Sequence, residues 1–235
     1  MDALPHPTRW LITGANRGIG LELTRQLLRR GDAVVATARH PESARELAAL
    51  AERAPGRLTV AACDVTDRAS VEALAAAVRE PLDVLVSNAG VYGESETIES
   101  LDDRDMLRTL DTNALGALRV TAALLPHLRR GRDKKIVAIT SGMGSIGDNK
   151  SGGAYGYRMS KAALNMAMRS LAVDLEGEGV TVVVVNPGWV KTDMGGASAP
   201  TTVEESASRM IALIDRLTPT DSGTFFDYRG YTWPW

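Results

Sequence analysis

Cysteine is nearly absent: Cys63 stands alone in 235 residues, which excludes an intramolecular disulfide and a thiolate-rich metal site. A reducing, cytoplasmic setting is expected. Histidine is as sparse, and His6, His40 and His127 are scattered without partners at metal-ligand spacing, so no metal is expected. A charge excess is lacking too. With 27 basic against 29 acidic residues the formal net charge is −2, leaving no bulk field to recruit nucleic acid or an anionic membrane. The one basic run, at residues 129–135, is short, has no interleaved aromatics and reads as a helix C-terminal cap. The first residues carry neither the basic region nor the apolar core of a secretory signal. The longest aliphatic stretch, residues 180–185, is far short of the roughly 20 residues that span a bilayer, so a soluble protein with no membrane partner is expected. Aromatics are only 5% of the chain, yet more than half of them gather at its end: Phe225, Phe226, Tyr228, Tyr231, Trp233 and Trp235. Such a tail could close a pocket or anchor a subunit contact.

What the chain does have is regular alternation. Apolar, β-branched runs at residues 10–13, 33–38, 58–62, 83–87, 136–140 and 180–185 read as buried strands. Between and after them, helical patterns cover 18–30, 42–53, 68–79, 101–128, 157–175 and 203–217, with a possible edge strand at 224–226. Continuous apolar strands separated by helices predict a parallel sheet covered on both faces. The expected fold class is α/β: a doubly wound, Rossmann-type sheet in three α/β/α layers. No linker interrupts the alternation, so residues 1–235 are read as a single domain.

The first strand runs into Gly14-Ala15-Asn16-Arg17-Gly18-Ile19-Gly20. Glycines at a strand-to-helix turn let the backbone approach a pyrophosphate, and the helix N-terminus stabilises its charge. The second strand then decides which dinucleotide. A carboxylate at its end would bond the ribose 2′-hydroxyl of NAD, but the chain has Arg39 there, 19 residues after Gly20. Arg39, with Arg17 as a second cation, is placed for a 2′-phosphate, so NADP(H) is the expected cofactor. Further on, Tyr157 and Lys161 are four apart and share a helical face. A free tyrosine titrates near 10; a neighbouring ammonium favours the phenolate and makes Tyr157 a plausible proton donor or acceptor. Ser141 ends the fifth strand at the carboxyl edge, where such sheets bind ligands.

In chain order, the glycine loop, Asn88-Ala89-Gly90, Asn113, Ser141, Tyr157-x-x-x-Lys161 and Asn186-Pro187-Gly188 resemble the short-chain dehydrogenase/reductase family over about residues 9–194. Residues 140–165 and 187–194 are more narrowly similar to its C-factor and sniffer-like carbonyl reductase branch. The resemblance implies that Tyr157 is the general acid in reduction and the base in oxidation. Ser141 would hydrogen-bond the substrate carbonyl, Lys161 would hold the nicotinamide ribose and lower the pKa of Tyr157, and Asn113 would position a relay water. It further implies that Asp64, with Val65, contacts the adenine and that Asn88, Ala89 and Gly90 line that side of the cleft. Pro187, Gly188, Val190 and Thr192 would hold the nicotinamide end. The substrate would be a small carbonyl compound or alcohol, and a homodimer or homotetramer is expected. An NADP(H)-binding regulatory or signalling protein with little turnover is the alternative.

Two departures stand out. Ser87 replaces the family's first asparagine, and Ser141 lies 16 residues before Tyr157, about three more than is common. An enlarged loop through Asp148-Asn149-Lys150-Ser151 and Gly152-Gly153 would absorb the difference; Ser145, at 12 residues, is the rival serine. Cys63 reads as a small core residue, and Met159, Met166 and Met168 as core or subunit-interface packing. Three acids between residues 93 and 99 would disfavour anionic substrates, and the small residues at 195–200 would order on binding.

Overall fold

The alternation becomes seven parallel strands and seven α-helices in the computed structural model, which describes residues 7–94 and 97–235. His6 and Glu96 therefore lie outside the described residues. In chain order they are β1 (Arg9–Ile12), α1 (Gly18–Arg30), β2 (Ala33–Ala38), α2 (Arg45–Arg53), β3 (Leu58–Ala62), α3 (Arg68–Ala77) and β4 (Val84–Ser87). There follow α4 (Asp103–Leu110), α5 (Gly116–Arg129), β5 (Lys135–Ile139), α6 (Tyr155–Asp174), β6 (Thr181–Asn186), α7 (Val203–Arg216) and β7 (Phe225–Asp227). The sheet order is β3-β2-β1-β4-β5-β6-β7, a doubly wound Rossmann-type arrangement.

Strand alternation sends successive side chains to opposite faces and makes two cores. Trp10 and Ile12 point to the layer of α1, α2 and α7; Leu11 points to that of α3, α5 and α6. Every residue of β4, β5 and β6 is buried, which is why these strands read as unbroken apolar runs. Each fully buried leucine or valine there contributes about 1.5–3 kcal/mol. Helix ends follow local chemistry. The carboxylates of Asp67 and Asp102 cap α3 and α4, the Thr202 hydroxyl caps α7, and Gly31 ends α1 in the left-handed region.

Two elements differ from expectation. The helical region at 101–128 is divided by a π turn, Asp111–Leu115, which carries Asn113. Such turns interrupt the regular ladder and are frequent at functional sites. The second helix begins three residues late because Pro41–Ser43 form a separate 3-10 turn. The expected edge strand is present one residue later than read, as β7 at the end of the sheet, pairing Val184 with Phe225 and Asn186 with Asp227. The order reverses between β1 and β4, and the crevice at their carboxyl ends is where such sheets bind ligands.

Candidate active site

The turn from β1 to α1 needs glycine for two separate reasons. Gly14 has φ +63°, and a Cβ there would lie 2.8 Å from the Cα of Ala89. At Gly20 a Cβ would meet Asn88 Nδ2 at 2.5 Å. The loop after β4 is thus pressed onto the glycine turn, and hydrogen bonds fasten it there. Asn88 Nδ2 donates to the carbonyls of Thr13 (2.8 Å) and Gly14 (3.0 Å), while Thr13 Oγ1 accepts from the amides of Asn88 and Ala89, both at 3.0 Å. No side chain caps α1 and no acid sits in its first turn, so its N-terminal amides and positive dipole end are left for an anion.

This turn floors a cleft of about 290 Å³. Gly14, Asn16 and Arg17 line it from the turn, and Gly18 and Ile19 from the start of α1; Asn88, Ala89 and Gly90 line it from the β4 loop. Arg39, Asp64 and Val65 stand at one end, with Pro187 and Thr192 toward the other. Asp64 Oδ1 accepts from the amide and hydroxyl of Thr66 at 2.9 and 2.7 Å. Burial opposes its ionisation, but these bonds with nearby Arg39 and His40 hold the carboxyl below its ordinary value. Gly20, Gly188 and Val190 do not line the cleft but shape it. Gly188, at φ +85°, leaves room for the Tyr228 ring, which a Cβ would meet at 2.9 Å, and buried Val190 bridges to Thr201. Thr66 and Asp193 also line the cleft, though no sequence pattern marks them; Asp193 holds Arg17 at 3.0 Å.

At the inner end Tyr157 and Lys161, both buried, point from α6 into the cleft. Lys161 Nζ donates to the Ile139 carbonyl at 2.9 Å and lies 5.7 Å from the Tyr157 ring centre. Burial pushes Tyr157 up to about 12, opposed by the nearby Ser141 hydroxyl and reinforced by Tyr92, whose ring centre is 4.6 Å away. Burial also brings Lys161 down to about 8. The sequence expectation that Lys161 lowers Tyr157 is thus not met: burial raises the tyrosine, and the opposing influence comes from Ser141. Ser141 caps a 3-10 turn, Gly142–Gly144, and accepts from Met143 N at 3.1 Å. Ser145 is engaged elsewhere: its hydroxyl donates to the Trp235 carbonyl oxygen at 2.9 Å and accepts from Asp148 N.

Asn113 reaches the site as a clamp. Its Oδ1 accepts from Val91 N at 2.8 Å, and its Nδ2 donates to Val91 O and Ser160 Oγ at 2.8 and 2.9 Å. Its side chain is thus committed to Val91 and Ser160, and Asn113 is not among the residues that line the cleft. Gly90 lies between them, with room for a Cβ only 3.1 Å from Asn113 Oδ1 and 3.6 Å from Lys161 Nζ. Cys63 is buried at the cleft wall and its thiol is pushed up to about 11 by burial, the behaviour of a packing residue. Met168 is core, whereas Met159 and Met166 are exposed. Among the described residues no three His, Cys, Asp or Glu side chains are grouped to hold a metal, and no helix is long and apolar enough to cross a membrane.

The sequence and fold have similar counterparts among known proteins. The C-signal protein of Myxococcus xanthus is 52% identical over 155 residues, which cover 66% of this chain and 93% of that protein. The Sniffer carbonyl reductase of D. melanogaster superposes with a TM-score of 0.93 at 34% identity, over 98% of this chain and all of that one. An NADPH-bound carbonyl reductase from chicken fatty liver gives 0.92 at 36% identity, over 98% of this chain and all of that one. Residues 9–202, from the first strand to the cap of α7, match the family described as short chain dehydrogenase. Fold, motif order and likeness agree: the chain belongs to the short-chain dehydrogenase family and is similar throughout its length to the carbonyl reductases in it.

Proposed function

We propose that the protein uses NADPH to reduce a ketone or aldehyde to the alcohol, reversibly, with Tyr157 as the general acid and base. The observation that carries this reading is that buried Tyr157 and Lys161 both line the cleft from α6, Lys161 Nζ 5.7 Å from the tyrosine ring centre, with the Ser141 hydroxyl near enough to favour the tyrosine's charged form. Two hydroxyls so placed can both reach one carbonyl oxygen: Ser141 donates to it and stabilises its developing charge, and Tyr157 delivers the proton. Lys161 would bond the ribose hydroxyls, and the Asn113 main chain would hold the relay water.

The cofactor fits this cradle. Close-packed Gly14 and Gly20, the uncapped start of α1, and Arg39 and Arg17 at the cleft suit a pyrophosphate and a 2′-phosphate. When bound, it supplies the hydride. Asp64 and Val65 would contact the adenine; Asn88, Ala89 and Gly90 would flank it; Pro187 and Thr192 would hold the nicotinamide end, with Gly188 and Val190 shaping their loop. A cytoplasmic homodimer or homotetramer is part of the proposal, supported by exposed Met159, Met166 and Val173 at seven-residue spacing along α6.

The test is NADPH oxidation with a panel of ketones and aldehydes. Wild-type turnover is expected, with Tyr157→Phe reducing it by about 100- to 10,000-fold. The likeness to C-signal favours the regulatory alternative, for which tight NADPH binding without turnover on any carbonyl would be the outcome.

A further inference from the structure

We propose that Arg158 is a positioning residue that orients the Ser141 hydroxyl through the backbone of Met143. The inference rests on the carbonyl-reductase reading and adds a residue to its machinery. A serine hydroxyl on a free side chain rotates among staggered wells. Here the Met143 amide donates to Ser141 Oγ at 3.1 Å and fills one lone pair, so the hydroxyl direction follows the position of that peptide. The carbonyl of the same residue, Met143 O in the next peptide unit, accepts from Arg158 Nη1 at 3.3 Å, so both backbone groups flanking the Met143 Cα are held. Arg158 directly follows Tyr157 on α6. Its side chain thus ties the helix that carries one hydroxyl to the turn that carries the other.

The rest of the guanidinium holds the enlarged loop. Nε donates to the carbonyls of Gly152 and Gly153, both at 3.1 Å, and Nη2 to Ser151 Oγ at 2.8 Å. Gly152, Gly153 and Ala154 all have positive φ (+62°, +65° and +46°), a left-handed run that costs free energy at the alanine and needs outside support. All four acceptors are neutral oxygens, and only a planar fork can meet them at once. The inner side of the turn has its own anchor, Asn165 Nδ2 on the Gly144 carbonyl at 3.2 Å. The far side of the loop is pinned by the tail, where the Trp235 oxygen accepts from Ser145 Oγ and Gly147 N at 2.9 and 3.0 Å. Met143 lies between these anchors, and Arg158 is what holds its carbonyl.

Wild type, Arg158→Met, Arg158→Lys, Ser141→Ala and the Arg158→Met/Ser141→Ala double variant are compared for kcat, carbonyl KM, NADPH Kd and Tm. Loss of an oriented donor predicts a fall of about 10- to 100-fold in kcat for Arg158→Met, with NADPH Kd within about twofold. Arg158→Lys falls between that variant and wild type. The double variant is expected to be no slower than Ser141→Ala alone, because both changes remove the same contribution. Wild-type kcat in Arg158→Met, or a full additional loss in the double variant, overturns the proposal. If Arg158→Met does not fold, Arg158→Lys and its double variant decide by the same criteria. If wild type turns over no carbonyl, the reductase reading fails separately, and hydrogen exchange of the Met143 amide judges Arg158. Faster exchange in the variant supports its role, and unchanged exchange refutes it.

Discussion

Arg17 and Asp193 meet across the mouth of the cleft, Nη1 to Oδ2 at 3.0 Å, although 176 positions separate them. Both side chains are largely exposed, 64% and 79%, so the pair itself contributes under about 1 kcal/mol. Its importance is competitive: the carboxylate holds a cation that a cofactor phosphate would use. Asp193→Asn is expected to tighten NADPH binding by about two- to fivefold at low ionic strength, with the gain shrinking as salt is added. Fluorescence titration at two salt concentrations checks this, and an unchanged or weaker affinity refutes the competition.

Arg39 stands exposed just past β2, at the cleft end that also carries Asp64. A charged hydrogen bond to the 2′-phosphate is worth about 1.5–3 kcal/mol, so Arg39→Ala should weaken NADPH binding by roughly 10- to 150-fold. NADH lacks that phosphate, and its affinity should stay within about twofold. Equal losses for both cofactors would assign Arg39 a role in shaping the cleft instead.

The parallel sheet was legible because β4, β5 and β6 are buried on both faces and so spell unbroken apolar runs. The glycine turn and the Tyr157/Lys161 pair were legible because their chemistry is local, set by a tight turn and one helical repeat. The rest depends on contacts remote in sequence. The Arg17–Asp193 pair, the Tyr92 ring against Tyr157 and the Ser145–Trp235 bond join residues whose spacing follows no rule. Asn113 was found by its place in the motif order, but its clamp on Val91 exists only because a π turn redirects it. The direction of the Tyr157 shift was also out of reach, since it depends on how deeply α6 buries the ring.

Gly14 and Gly18 separate two demands placed on glycine. Both have positive φ, +63° and +54°, but a Cβ at Gly14 would lie 2.8 Å from the Ala89 backbone, whereas at Gly18 it would meet only Thr192 Cγ2 at 3.5 Å. Gly18→Ala should therefore cost only the left-handed strain, about 1–2 kcal/mol. Gly14→Ala should add overpacking against a backbone that is itself hydrogen-bonded to the turn, a further loss of about 1–3 kcal/mol. Urea unfolding midpoints should rank wild type above Gly18→Ala, and Gly18→Ala above Gly14→Ala; equal effects would mean that the Ala89 loop yields.

Burial alone brings Lys161 from an ordinary 10.5 to about 8. Between those values the unfolded chain binds a proton that the folded chain does not, so this group makes stability rise with pH across that window. Cofactor affinity should respond in the opposite sense. A ligand that bonds the ammonium and carries negative charge prefers the protonated lysine, so NADPH affinity should hold below about pH 8 and weaken by up to roughly tenfold per unit above it. Lys161→Met removes both effects. It should bind NADPH weakly at every pH with no break near 8, and it should be at least as stable as wild type at neutral pH, because a desolvated charge has been replaced by a methylene chain. NADPH titrations from about pH 6 to about pH 10 on both proteins decide it. A break that persisted in Lys161→Met would assign the titration to another group in the cleft.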